Sequence, residues 1–210
     1  LPRAPSTISV LRGDDLRDLG VRFFSDGLRR VPGMEVTRIS STEANVSLRG
    51  YNDDTSAAQG ILALVDGRQA YNEFFGSVIW ETLPVSLQDI ERIEVIRGPG
   101  AFIHGPNAMH GLVNIVTRTP LQYRDREVVL SGSGGSYRSN EATLTYIRRE
   151  GDTAFKTTLA WDDIAQFQPS HRDAKDKRFL ELRAEHAFAA DHRVDVAAGI
   201  NRQKFNILIP

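Results

Sequence analysis

Two hydrophobic rhythms divide the chain. Up to Pro120 the apolar residues come in short β-branched runs, punctuated by glycine and proline. After Pro120 they alternate with polar residues over about ten positions at a time, the period of an extended strand with two unlike faces.

In the first part, residues 7–11 predict a short strand. Gly13-Asp14-Asp15 opens a short helix that Gly20 closes. Residues 21–30 predict a second helix, with Phe23 and Phe24 as core side chains and Pro32-Gly33 as the stop. Residues 34–40 and 45–50 predict two strands around a Ser-Thr-Glu turn, and residues 51–60 a polar loop. Residues 61–65 read as a buried strand ending in the Asp66-Gly67 turn. Residues 84–89 read as a turn or short helical piece with Ser86 as its cap. Then comes IERIEVIRGPGAFIHGPNAMHGLVNIVT: strand, a turn region holding Gly98, Pro99, Gly105 and Gly111, and strand. Glycine is needed there for positive φ or for close backbone approach.

In the second part, Ala142, Leu144 and Tyr146 share a face opposite Thr143 and Thr145. Phe155, Leu159 and Trp161 oppose Lys156, Thr158 and Asp162. Leu180, Leu182, Ala184 and Phe188 oppose Glu181, Arg183 and Glu185, and Val194, Val196, Ala198 and Ile200 oppose Arg193, Asp195 and Asn201. The connections at residues 149–152 and 189–192 read as tight, those at 133–140 and 165–177 as longer. This is the signature of transmembrane β-barrel strands. Alternation alone leaves open a soluble antiparallel sheet with one buried face.

Charge and composition narrow the chemistry. A formal net charge of −1 over 210 residues gives no basis for nucleic-acid binding. The absence of cysteine excludes a disulfide framework and thiolate chemistry. No apolar run has the length of a membrane-spanning helix, and Leu1-Pro2-Arg3 opens no export leader. GPGAFIHG lacks the Lys-Ser/Thr of a phosphate loop. His104 and His110 lack the spacing of a helical zinc pair and read as turn or core histidines. No catalytic constellation, resident metal or cofactor is expected.

The order of motifs carries a resemblance. LRRVPGMEV, VSLRGY, ALVDGR, LPVSLQDIERIEV and RGPGAFIHGPNAMHGLVNIVT follow one another as in the plug domain of TonB-dependent outer-membrane receptors. His104 stands where that family usually has Tyr, and His110 where Gly is common. The resemblance implies an α+β plug domain (a small mixed sheet with short helices) over residues 1–120. It implies the antiparallel N-terminal strands of an outer-membrane β-barrel over 121–210. Five strands do not close such a barrel, so a longer receptor is implied, with its TonB-contacting box upstream of residue 1.

Several site expectations follow from that resemblance. The function implied is import of a scarce ligand, most often a ferric siderophore or similar metal chelate, in the outer membrane and with TonB as energy-transducing partner. A plug-like soluble binding module is the alternative. Tyr51, Tyr71, Asn72, Phe74 and Phe75 are the expected ligand contacts, since aromatic rings with a few polar groups suit a bulky chelate. Arg49 and Arg97, each at a strand end before glycine, are the expected docking charges for glutamates on the barrel wall.

Overall fold

The computed structural model describes residues 7–48, 60–72, 76–165, 174–189 and 191–205. The chain divides into two units, Leu1–Thr117 and Arg118–Pro210.

In the first unit, strand β1 (Thr7–Arg12) leads into helix α1 (Gly13–Asp18) and helix α2 (Phe24–Leu28). Strands β2 (Met34–Arg38) and β3 (Ala44–Leu48) form a separate hairpin. Strands β4 (Ile61–Val65), β5 (Arg68–Gln69), β6 (Ile90–Arg97) and β7 (Gly111–Thr117) join β1 in a mixed sheet of order β1-β6-β7-β4-β5. β4 and β7 are parallel, and the other neighbours are antiparallel.

The period of two along these strands builds two cores. Ile61, Ala63, Ile93, Val95, Val113 and Ile115 turn to one face, where they meet the helices and the β2–β3 hairpin. Leu62, Leu64 and Leu112 turn to the other. Gly13 sits where β1 bends into α1: a Cβ there would lie 1.8 Å from the Ile90 carbonyl oxygen, so only glycine fits.

Two expectations need correction here. The second helix covers Phe24–Leu28 and not residues 21–30. Phe23 is extended, and the chain after Leu28 closes with tight i to i+3 bonds, Arg30 N to Gly27 O and Val31 N to Leu28 O. Phe23 is not a core residue either. It is half-buried beneath the Arg38 guanidinium, 3.6 Å from the ring centroid, whereas Phe24 is buried.

The second unit is an up-and-down sheet, β8 (Glu127–Gly135), β9 (Ser139–Glu150), β10 (Thr153–Ile164), β11 (Lys175–Ala189) and β12 (His192–Phe205), each strand paired with the next. Its burial is inverted relative to a water-soluble sheet. Lys156, Thr158 and Glu185 are 1, 0 and 1% exposed, whereas Leu130, Val196 and Ile200 are 76, 60 and 70% exposed. The charges on the buried face are paired: Lys175 with Asp162 at 2.6 Å, Lys156 with Glu181 at 3.4 Å, and Arg183 Nε with Asp195 at 2.8 Å. Register lines up Leu130, Leu144, Leu159, Leu180 and Ile200 across all five strands of the exposed face. No helix among the described residues is long and apolar enough to cross a membrane, which says nothing about a β-barrel.

The connection at residues 133–140 is also shorter than expected. β8 and β9 pair as far as Gly135 and Ser139, leaving only the turn Ser136–Arg138. Glycine and serine read as loop by composition, but the backbone ladder needs no side chains to continue. Of the longer connection at 165–177, residues 166–173 lie outside the described residues, and β11 takes the chain up at Lys175.

Candidate functional site

The glycine-rich stretch lies at one end of the first sheet. β6 stops at Arg97, and Gly98 takes φ +99°. Two short turns follow, Pro99–His104 and Pro106–Ala108, separated by Gly105 at φ +102°. Gly111 is required for a different reason. A Cβ there would stand 2.9 Å from the Ile96 carbonyl oxygen and 2.5 Å from Leu48 Cδ1. Ala101 and Ala108 fold back onto Leu62, Leu64 and Leu112 as a second core, while Ile103, His104 and Met109 remain exposed. His110 is half-buried against Gly60, whose carbonyl accepts the His110 N–H at 2.7 Å. Among the described residues, no group of three or more His, Cys, Asp or Glu is placed to hold a metal ion.

The aromatic segment of residues 69–80 splits in two. Trp80 is buried in the main core and stacks on Phe24, with centroids 6.0 Å apart and planes at 9°. Tyr71 is only partly buried and packs against both the main core and the second core, the latter beside the glycine-rich turns. It gets there because the chain reverses at Asp66-Gly67, at the far end of the sheet, and runs back along β4. The Asp66 carboxylate fixes that reversal by accepting from Thr117 N at 2.8 Å and Thr117 Oγ1 at 2.7 Å. The Tyr71 hydroxyl donates to the Gly76 carbonyl, and Asn72 and Ser77 exchange backbone bonds of 2.8 and 3.2 Å. The Tyr71 hydroxyl therefore braces its own hairpin. Phe74 and Phe75 lie outside the described residues, as do Tyr51 and Arg49.

Arg97, at the end of β6, donates to the Pro32 carbonyl and to Ser9 Oγ, the latter at 2.8 Å. It ties β1 and the turn before β2 to the glycine-rich end. Its Nε is buried with no hydrogen-bond partner among the described residues.

A polar triad occupies the sheet beyond the second core. Glu94 accepts from Asn114 Nδ2 at 3.0 Å and from Arg92 Nε at 2.7 Å. The Asn114 amide and, after it, Arg92 hold the Glu94 carboxyl below the usual carboxylate range, against the opposing effect of burial. A folded-state pKa held below the unfolded one adds stability above the unfolded value, and that stability is lost as pH falls through the folded value. Glu94→Gln should therefore lower stability at neutral and alkaline pH and flatten the acid side of a stability–pH profile, the two proteins converging at low pH. A profile identical to that of the parent protein would contradict this role.

One cluster was not foreseen from sequence. Glu81 is buried, and its carboxylate accepts from Phe24 N at 3.0 Å, Ser25 N at 3.1 Å and Ser25 Oγ at 2.6 Å. Arg38 reaches the same carboxylate at 3.3 Å and Asp26 at 3.2 Å. α2 has no capping side chain of its own, so Glu81 satisfies its first N–H groups from 57 residues away. The available signal was a lone acid within the apolar run Val78-Ile79-Trp80-Glu81-Thr82-Leu83.

The first unit thus has a braced hairpin and glycine-built turns at one sheet end, and the unit that follows has an inverted wall of strands. The family model of the TonB-dependent receptor plug domain matches residues 2–112. The chain belongs to the TonB-dependent outer-membrane receptors. An iron-regulated outer membrane virulence protein of Vibrio cholerae is 30% identical over 97% of this chain and 32% of its own length. The vitamin B12 transporter BtuB of Vibrio vulnificus is 32% identical over 61% of this chain and 20% of its own. Among solved structures, the siderophore receptor PirA from Pseudomonas aeruginosa matches with a TM-score of 0.68 at 26% identity, over 96% of this chain and 36% of that one. The chain spans about a third of the length of the first of these TonB-dependent relatives. Such relatives are named as receptors and transporters, not enzymes.

Proposed function

We propose that this chain forms the plug, residues 1–120, and the first wall strands, residues 121–210, of a receptor importing a ferric siderophore or similar metal chelate. The observation that carries this reading is the inverted sheet of β8–β12 following a unit matched by the plug model. A sheet that buries lysine and glutamate while exposing leucine and isoleucine suits a wall with lipid outside and a polar lumen inside. The names of two of the three relatives, the iron-regulated protein and the siderophore receptor, favour an iron chelate.

In this reading the plug closes the pore, ligand settles above it, and pulling by TonB rearranges it. Tyr71 braces the hairpin that carries Phe74 and Phe75, and with Asn72 and Tyr51 that hairpin contributes to the ligand surface. Arg49 and Arg97 dock the plug against carboxylates of the wall. Transport is tested by uptake of radiolabelled ferric chelates under iron limitation, with and without TonB. Uptake of one chelate that is lost without TonB supports the reading, and TonB-independent uptake, or none across a siderophore, haem and cobalamin panel, contradicts it. Replacing Tyr71 and Phe75 together by Ala should weaken binding of that chelate about tenfold, the scale of losing an aromatic anchor. Unchanged affinity would remove the hairpin from the site.

A further inference from the structure

The exposed face of β10–β12 carries a feature that a uniform lipid-facing wall does not require. Arg178 and Arg202 are directly opposite one another in the β11–β12 register, and Trp161 is directly opposite Arg178 in the β10–β11 register. Like charges placed so destabilise a sheet unless an anion lies between them. Asp176 engages Arg178 at 3.3 Å. One register step farther out, Asp163 and Asp176 lie in line with Lys204. With Arg178 and Arg202, these two register rows of β10–β12 hold three cations against two carboxylates.

These arginines stand at the rim of a groove of about 670 Å³ on the apolar face, floored by Leu144, Leu159, Leu180 and Ile200. An apolar trough closed at one end by two guanidiniums and an indole matches an amphiphile with an acyl chain and an anionic head. Arginine suits phosphate because its planar fork binds two oxygens at once, and tryptophan suits the boundary between hydrocarbon and headgroup.

We infer that Arg178, Arg202 and Trp161 form a binding site for a phosphate-bearing membrane lipid, its acyl chain lying in the groove and its phosphate bridging the two arginines. The inference rests on the receptor reading above, in which this face meets the bilayer. Occupancy would relieve the repulsion between the two arginines and fix lipid at the margin of the wall.

The test is native mass spectrometry of the receptor purified from outer membranes in mild detergent, titrated with phosphatidylglycerol or with diacylglycerol of the same chains. Phosphatidylglycerol should be retained over diacylglycerol. R178Q/R202Q should lower its apparent affinity about tenfold or more, on the scale of two interfacial arginines. R202Q alone, which keeps the Arg178–Asp176 pair, should show a smaller loss and serves if the double variant fails to assemble. Equal retention of the two lipids, an unchanged affinity in R202Q, or displacement of the lipid by inorganic phosphate alone would overturn the inference. Variants that lose the lipid preference while chelate uptake persists support the site without touching transport. A parent protein absent from the outer-membrane fraction would overturn the receptor reading itself.

Discussion

Glu81→Ala is expected to destabilise the first unit by about 3–5 kcal/mol, the usual consequence of breaking a buried ion pair from one side. The substitution strips α2 of its cap and leaves Phe24 N, Ser25 N and Ser25 Oγ without their acceptor. It also leaves Arg38, whose side chain is 9% exposed, without one of its two carboxylates. Glu81→Gln keeps an acceptor and loses the charge, so its cost should fall to about 1.5–3 kcal/mol, the scale of a hydrogen bond to a charged group. Removing Arg38 as well should cost less than the sum of the two single changes, because the second substitution takes away a stranded charge. The readout is urea unfolding followed by Trp80 fluorescence in a Trp161→Phe background, since the chain has two tryptophans and Trp80 stacks on Phe24 beside this network. A loss for Glu81→Ala within the ordinary surface range of about 0.5 kcal/mol would mean that the carboxylate does not hold the helix.

The second large effect is expected on the wall. Leu159 lies at the centre of the exposed leucine row, with Leu144 and Leu180 as register partners. In a receptor refolded into phospholipid vesicles, Leu159→Lys should cost about 2–4 kcal/mol, and Asp163→Lys near the strand end about 0–1 kcal/mol, following the depth dependence of charge on a lipid-facing surface. A soluble sheet would reverse this pattern. Lysine on its exposed face would be nearly neutral and would improve solubility. Equal, small effects at both positions would argue that this face meets water.

Much of this was legible because the two rhythms correspond to two physical environments. The β-branched runs with glycine stops gave the strands of the first sheet, and Ser86 does cap the turn at Leu87–Asp89 by accepting from Gln88 N. Glycine requirements at Gly98, Gly105 and Gly111 were visible as composition, though positive φ at the first two and crowding at the third emerge only from the fold. Alternation in the second unit gave the strands but not which face is buried, because period two is the same for a soluble and a membrane sheet. The burial of Lys156 and Glu185 decides that question.

Part of what stayed hidden was long-range. Nothing near Phe24 predicts that its helix is capped by Glu81, and the missing local cap made the helix read several residues too long. The bond from the Tyr71 hydroxyl to Gly76 also had no sign in the sequence. The Ser/Gly composition of residues 133–140 concealed a ladder that backbone atoms alone sustain.

The account depends most on which face of the second sheet meets lipid. These 210 residues contain no cysteine, so single cysteines can be placed along β10 and spin-labelled once any cysteine elsewhere in the receptor is replaced by serine. The measurement is the accessibility of nitroxides at residues 155 to 161 to oxygen, which partitions into lipid, and to a water-soluble nickel chelate, in the full receptor in vesicles. The account predicts oxygen maxima at 155, 157, 159 and 161 and minima at 156, 158 and 160, with little nickel access at the odd positions. Alternation of the opposite phase, or nickel access at the odd positions equal to that of free water, would contradict it.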